Sequence, residues 1–232
     1  MFKPGSLAAS AALATLVAIT LAAAPSDAMA EGQRTVLQQL RELIGYNPRQ
    51  AVGGSRSGIG SGVCLITPRF QQHADGTAIA TVALPQPTLL AAEALNEVRL
   101  IRDGRIVWQR RASSTEPIEG PIPWPLQPLA PGDTVLLRLR PRGAAGSDFA
   151  DIQLVAVSEA EQQRALTLLS SGQSRLEVVE AEARAGRAAL ASQLLFAPLD
   201  QAPEAIQLLP QAITLLRQEL IAQGCGITPA TP

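Results

Sequence analysis

The chain contains one histidine (His73), one lysine (Lys3), two cysteines and few aromatics: four Phe, two Trp and one Tyr in 232 residues. Each scarcity narrows the chemistry. A Ser-His-Asp triad or a histidine-based zinc site would have to be built on His73. That residue sits in Gln71-Gln72-His73-Ala74-Asp75-Gly76, which reads as a hairpin tip. Without a lysine beyond Lys3, no G-x-x-x-x-G-K-[ST] phosphate loop can be written. Nineteen basic against 20 acidic residues leave no surplus for nucleic acid. The shortage of aromatic rings argues against a glycoside hydrolase cleft, for which Glu116 and Glu119 are the nearest paired carboxylates.

A glycine-rich run invites two further enzymatic readings, and both fail on spacing. Gly53-Gly54-Ser55-Arg56-Ser57 puts serine where the nucleophile elbow needs its last glycine. Gly58-Ile59-Gly60 precedes a strand pattern instead of joining a strand to a helix, so it is no dinucleotide fingerprint. No catalytic residue, metal site or cofactor is expected.

What is present begins with an address. Lys3, an apolar stretch from Leu7 to Ala24, Pro25 and Ala28-Met29-Ala30 have the order of a secretory signal peptide over residues 1–30, cleaved between Ala30 and Glu31. The expected location is the periplasm or the medium, with no membrane span after cleavage. In such a compartment Cys64 and Cys225 are candidates for a disulfide, with two unpaired thiols as the alternative. Closing a loop of about 160 residues would stabilise the fold by roughly 5 kcal/mol in the chain-entropy model.

The remainder divides by periodicity. Residues 31–62 hold a short amphipathic helix, with Val36, Leu37, Leu40, Leu43 and Ile44 at helical spacing, and then a Gly/Ser-rich linker. From 63 to 157 the period is two and turn signals recur, which predicts strands at 63–67, 77–84, 97–102, 105–111, 134–140 and 149–157. Asp103-Gly104 supplies the two central positions of a type I′ hairpin turn. Val135, Leu137 and Leu139 share one face, and Arg138 and Arg140 take the other. Prolines 117, 121, 123, 125, 128 and 131 around Trp124 predict an extended crossover joining two sheets. Residues 158–226 return to helical spacing: Ser158 and Glu161 form a capping-box pattern, and helices are expected over 159–169, 174–196 and 203–223, the last interrupted at Pro210. Leu190, Leu194 and Leu195 would meet Leu208, Leu209, Leu215, Leu216 and Leu220 in a helical hairpin. Residues 227–232 are expected to be a disordered tail. The fold class is therefore α+β: an Ig-like antiparallel β-sandwich followed by a C-terminal helical hairpin.

The order of these features resembles a family of exported cyanobacterial proteins of unknown function. The shared pattern is Gly53-Gly54-Ser55-Arg56, then Cys64 and Leu65 to Pro68, a strand hairpin, the turn Leu129-Ala130-Pro131-Gly132, and a helical tail with an Ala185-Gly186 step. The chain departs from it by having no cysteine between Thr134 and Arg140. The resemblance implies an extracytoplasmic sandwich with a helical appendage and implies no activity.

The leading functional expectation is a non-catalytic interaction or structural module with an envelope protein as partner. The alternative is a binding protein for an anionic glycan or lipid headgroup, with Trp124, Arg138 and Arg140 as candidate ligand surface. Against it stands a face that arginines merely keep soluble. A hydrolase using His73 and Ser55 comes third.

Overall fold

Asp103 and Gly104 both take positive φ, 52° and 73°, the type I′ geometry that a two-residue hairpin demands. They join β5 (Leu95–Arg102) to β6 (Arg105–Arg111) in the computed structural model, which describes residues 63–198 and 210–223. The expected signal segment with its expected Ala30–Glu31 cleavage site, the helix and linker expected over 31–62, Leu208, Leu209, Cys225 and the tail expected over 227–232 lie outside the described residues.

The remaining strands are β1 (Leu65–Thr67), β2 (Phe70–Gln72), β3 (Ala78–Val82), β4 (Leu90–Ala91), β7 (Thr134–Pro141) and β8 (Ala150–Ala156). They form a two-stranded sheet, β1-β4, and a six-stranded sheet in the order β2-β3-β8-β7-β5-β6. Among the described residues the fold is mixed α+β, with these two sheets and four helices. One pairing departs from the all-antiparallel expectation. β8 runs parallel to β3, with Ala80 beside Leu154 and Val82 beside Ala156. A hairpin cannot make such a pair, which needs a long return of chain; here the return spans β4 to β7 and the proline crossover.

Alternation gives the large sheet two unlike faces. Val98, Leu100, Val135, Leu137, Leu139, Ile152 and Leu154 are 0–1% exposed on one of them. Each such side chain contributes about 1.5–3 kcal/mol of burial free energy. This face is covered by Val63, Leu65, Leu89 and the crossover residues Ile118, Ile122, Trp124 and Leu129. The crossover is held by backbone pairs, Leu89 with Ile122 and Leu95 with Ile118, at 2.8–3.0 Å. Two isolated bridges are what so proline-rich a segment can sustain, because proline has no N–H to give.

The helices are α1 (Glu159–Ser170), α2 (Arg175–Arg184), α3 (Ala188–Phe196) and α4 (Pro210–Gln223). Ser158 and Glu161 make the reciprocal capping box at the head of α1. The single helix expected over 174–196 is two helices. Gly186, at φ 77°, ends α2: its N–H bonds Ala183 O, and the Arg187 N–H bonds Glu182 O, the paired bonds of a Schellman motif. The described part of α4 starts at Pro210, and the part of the expected helix before it, 203–209, lies outside the described residues. Leu216 and Leu220 join Leu190, Leu194 and Leu195 in one core, whereas Leu215 is 53% exposed.

That helical core also contains Cys64, Ile66, Ala83, Leu84 and Leu90 from the strand zone. Gln193 of α3 fastens the two together: its Oε1 accepts from the N–H groups of Ala83 and Leu84 at 2.9 and 3.2 Å, and its Nε2 donates to Thr81 O at 2.8 Å. The end of α3 is closed by two cations. Arg175 donates to the carbonyls of Leu194 and Ala197, and Arg217 to those of Leu195 and Ala197. Positive charge at these last carbonyls suits the negative end of the helix dipole. Burial, and then the nearby Arg175, push the Arg217 pKa below its ordinary value.

Candidate binding surfaces

On the second face of the large sheet, the register sets polar residues side by side. Glu97 lies between Arg111 on β6 and Arg140 on β7, while Arg99 lies between Gln109 and Arg138, and Arg138 faces Asp151 on β8. Glu97 is 2% exposed. Its carboxylate accepts from Arg99 Nε at 2.7 Å, Arg140 Nη2 at 2.8 Å, Arg111 Nε at 3.2 Å and Gln109 Nε2. Burial raises the Glu97 pKa, and the bonds from Arg99 and Gln109, with the Arg99 charge, more than reverse it; the net position is below the ordinary value. Arg138 grips Asp151 with two parallel bonds of 2.8 and 2.6 Å, which raise its own pKa.

Phe149 completes the arrangement. The guanidinium carbons of Arg99, Arg138 and Arg140 lie 4.6, 5.5 and 5.5 Å from its ring centroid, within cation–π range. Four guanidiniums thus share this face with two carboxylates. Arg111 remains 67% exposed, and it and Arg99 reach Glu97 through Nε. Arg140 Nε is buried without a hydrogen-bond partner among the described residues.

Trp124 is elsewhere. It is 8% exposed and belongs to the core that holds Val135, Leu137 and Leu139 from the opposite face of β7, with Nε1 donating to Gln127 O at 3.0 Å. The structure therefore brings Arg138 and Arg140 together but does not join Trp124 to them, because successive strand residues point to opposite sides. Trp124 instead lines an apolar groove of about 400 Å³ with Pro85, Pro123, Pro128, Leu166 and Pro198, at the seam of crossover and helices.

The remaining candidates fall apart in space or outside the described residues. His73 is exposed in the β2–β3 turn, where its N–H bonds Thr77 O at 2.8 Å. Asp75 beside it is occupied with Thr77, whose hydroxyl and N–H hold the Asp75 pKa below its ordinary value. Ser55 lies outside the described residues. Glu116 and Glu119 are both exposed in the crossover. Cys64 is disulfide-bonded, and its N–H donates to Glu93 Oε1 at 2.9 Å. Glu97, Phe149 and Asp151 were not anticipated as parts of the site. The available signal was the alternation of Glu97 and Arg99 about buried Val98. Compared with known proteins, the chain matches no family model and no curated protein.

Proposed function

We propose that this chain is a non-catalytic interaction or structural module that works outside the cytoplasm, periplasmic or secreted, and meets its partner on the arginine face of the large sheet. The observation that carries the reading is the surplus of guanidinium there: Arg99, Arg111, Arg138 and Arg140 against Glu97 and Asp151. Glu97, Asp151 and the Phe149 ring fix these side chains before a partner arrives, which reduces the ordering cost of binding. Export is supported by the disulfide at Cys64, since such bonds persist in oxidising compartments. Cys225 is its proposed partner, and non-reducing peptide mass spectrometry should recover the two cysteines in one cross-linked species. The sandwich reading is supported by the layer that β1, the 85–91 segment and the crossover form over the large sheet's apolar face.

The test is capture of envelope proteins by the immobilised protein. The Arg138→Ala, Arg140→Ala double variant, checked for native circular dichroism, should lose what the parent retains. Equal retention would remove the arginine face from the reading. The same surplus favours a second reading, binding of an anionic glycan or lipid headgroup. Heparin-like oligosaccharide should then be retained in a salt-dependent way, and the double variant should elute at lower salt.

A further inference from the structure

The arginine face ends at a strand that has no neighbour on its outer side among the described residues. β6 closes the six-stranded sheet, and no described strand pairs with its outer side. The Ala112 N–H bonds inward to Asn96 O at 2.8 Å. Backbone groups alternate direction along an antiparallel strand, so Arg110 and Trp108 also turn inward while Arg111 and Gln109 present N–H and C=O to the free edge. Arg111 and Gln109 carry their side chains on the arginine face, opposite Glu97 and Arg99. The edge is seven residues long, and it exposes Ile106 and Val107 at 50% and 44%. Unpaired edges of this kind template the addition of a further strand.

Charge decides what can be added. β6 carries Arg105, Arg110 and Arg111 and no carboxylate, and all three are exposed. A second copy of β6 paired antiparallel in full overlap would set Arg105 opposite Arg111 at both ends. In other registers the two strands would still bring six arginines together without an acid. Like charges directly opposite one another destabilise a strand pair, and opposite charges stabilise it. The edge therefore discourages self-association and favours an extended segment rich in Asp or Glu.

We infer that β6 receives an extended acidic segment of a protein partner, which adds as a seventh strand. It hydrogen-bonds the free backbone groups at Gln109 and Arg111; by strand alternation its carboxylates on one side meet Arg105 and Arg110, which lie on the face of Val98, and one on the other side meets Arg111 on the arginine face. This rests on the reading that the arginine face is the binding surface and names the partner's chemistry. Apolar residues of the segment that fall near Ile106 would extend the half-buried Ile101 and Leu136 beside it.

The probe is a short synthetic peptide alternating Glu with Val, titrated into the mature protein and followed by amide NMR. Binding should slow hydrogen exchange at Gln109 and Arg111 more than at Arg99 or Arg138. Gln109→Pro removes an outward N–H and no backbone bond to β5, but it also loses the side-chain bond to Glu97, so Gln109→Ala is the control: affinity should drop by about tenfold or more in Gln109→Pro relative to Gln109→Ala. Arg105→Glu with Arg110→Glu should weaken the Glu peptide by a similar factor and create binding to the matching Lys-Val peptide. Equal affinity in Gln109→Pro and Gln109→Ala, or equal binding of a peptide N-methylated on alternate residues, would overturn strand addition. If heparin-like oligosaccharide or anionic vesicles bind and the peptide does not, the inference fails while the arginine face stands. If none binds, both fail.

Discussion

Glu97 in the sheet and Glu182 in the helices are both nearly buried carboxylates held by arginine, yet they serve different ends. Glu182 is 3% exposed and accepts from Arg164 of α1 at 2.7 Å and from Arg187 just past α2. Its partners come from the same short stretch of chain, and the bonds join α1, α2 and the turn into α3. Glu97 gathers Arg99 and Arg111 from its own hairpin and Arg140 from 43 residues away. It serves more cations than it can neutralise and leaves them on an open face. Glu182 faces two arginines and Glu97 three, so the larger surplus of cation over carboxylate lies on the sheet, and that larger surplus is why binding is assigned there.

Removal of the hub should separate the two most sharply. Glu97→Ala leaves three arginines crowded without their acid and should cost about 3–5 kcal/mol in urea unfolding. Its counterpart Glu182→Ala should cost less, because Arg164 and Arg187 are about half exposed and can turn to water. Equal losses would mean that the sheet hub is no more than another local clamp. Next in size is Gln193→Ala, which frees the N–H groups of Ala83 and Leu84 beneath α3. A loss of about 2 kcal/mol is expected, with slower binding of no kind if the arginine face is independent of the helices.

Acid should test both carboxylates together. Their pKa values are held down in the fold: for Glu97 the bonds from Arg99 and Gln109 outweigh burial, and for Glu182 the Arg187 bond leads. Depressed values contribute stability above the unfolded glutamate pKa, and that stability is lost as pH falls through the folded value. Glu93 works the other way. Burial raises its pKa, so its unfavourable contribution grows as pH rises past the unfolded value. Unfolding followed against pH should show a flatter acid limb for Glu97→Gln, and a gain at neutral pH for Glu93→Gln. The smallest effect belongs to Gly186→Ala, which forces a side chain to φ 77° and should cost roughly 1 kcal/mol by thermal unfolding.

Local chemistry made much of this molecule legible. The β5–β6 turn, the Ser158 capping box and the two faces of β7 follow from residue types at fixed spacing, and each is present. The split at Gly186 was legible too, but helical spacing over 174–196 predicted one helix, and a single glycine in the left-handed region prevailed. Hairpin register was harder. With Arg102 opposite Arg105, counting back residue by residue sets Glu97 against Arg110. A bulge at Leu100/Ile101 shifts the pairing by one and puts Arg111 there instead. That slip decides which of two adjacent arginines, Arg110 or Arg111, shares the face of Glu97 and which takes the opposite one.

By itself, the sequence determined periodicity, turn chemistry and the poverty of catalytic groups, because each depends on neighbours within a few residues. Tertiary structure alone decided that β8 would lie parallel to β3, that Trp124 and the arginines would occupy opposite faces, and that Glu97 would find Arg140. Those contacts bridge dozens of residues. They are selected when the apolar faces of β3, β5, β7 and β8 are buried together, and no pattern in a short stretch of chain encodes them.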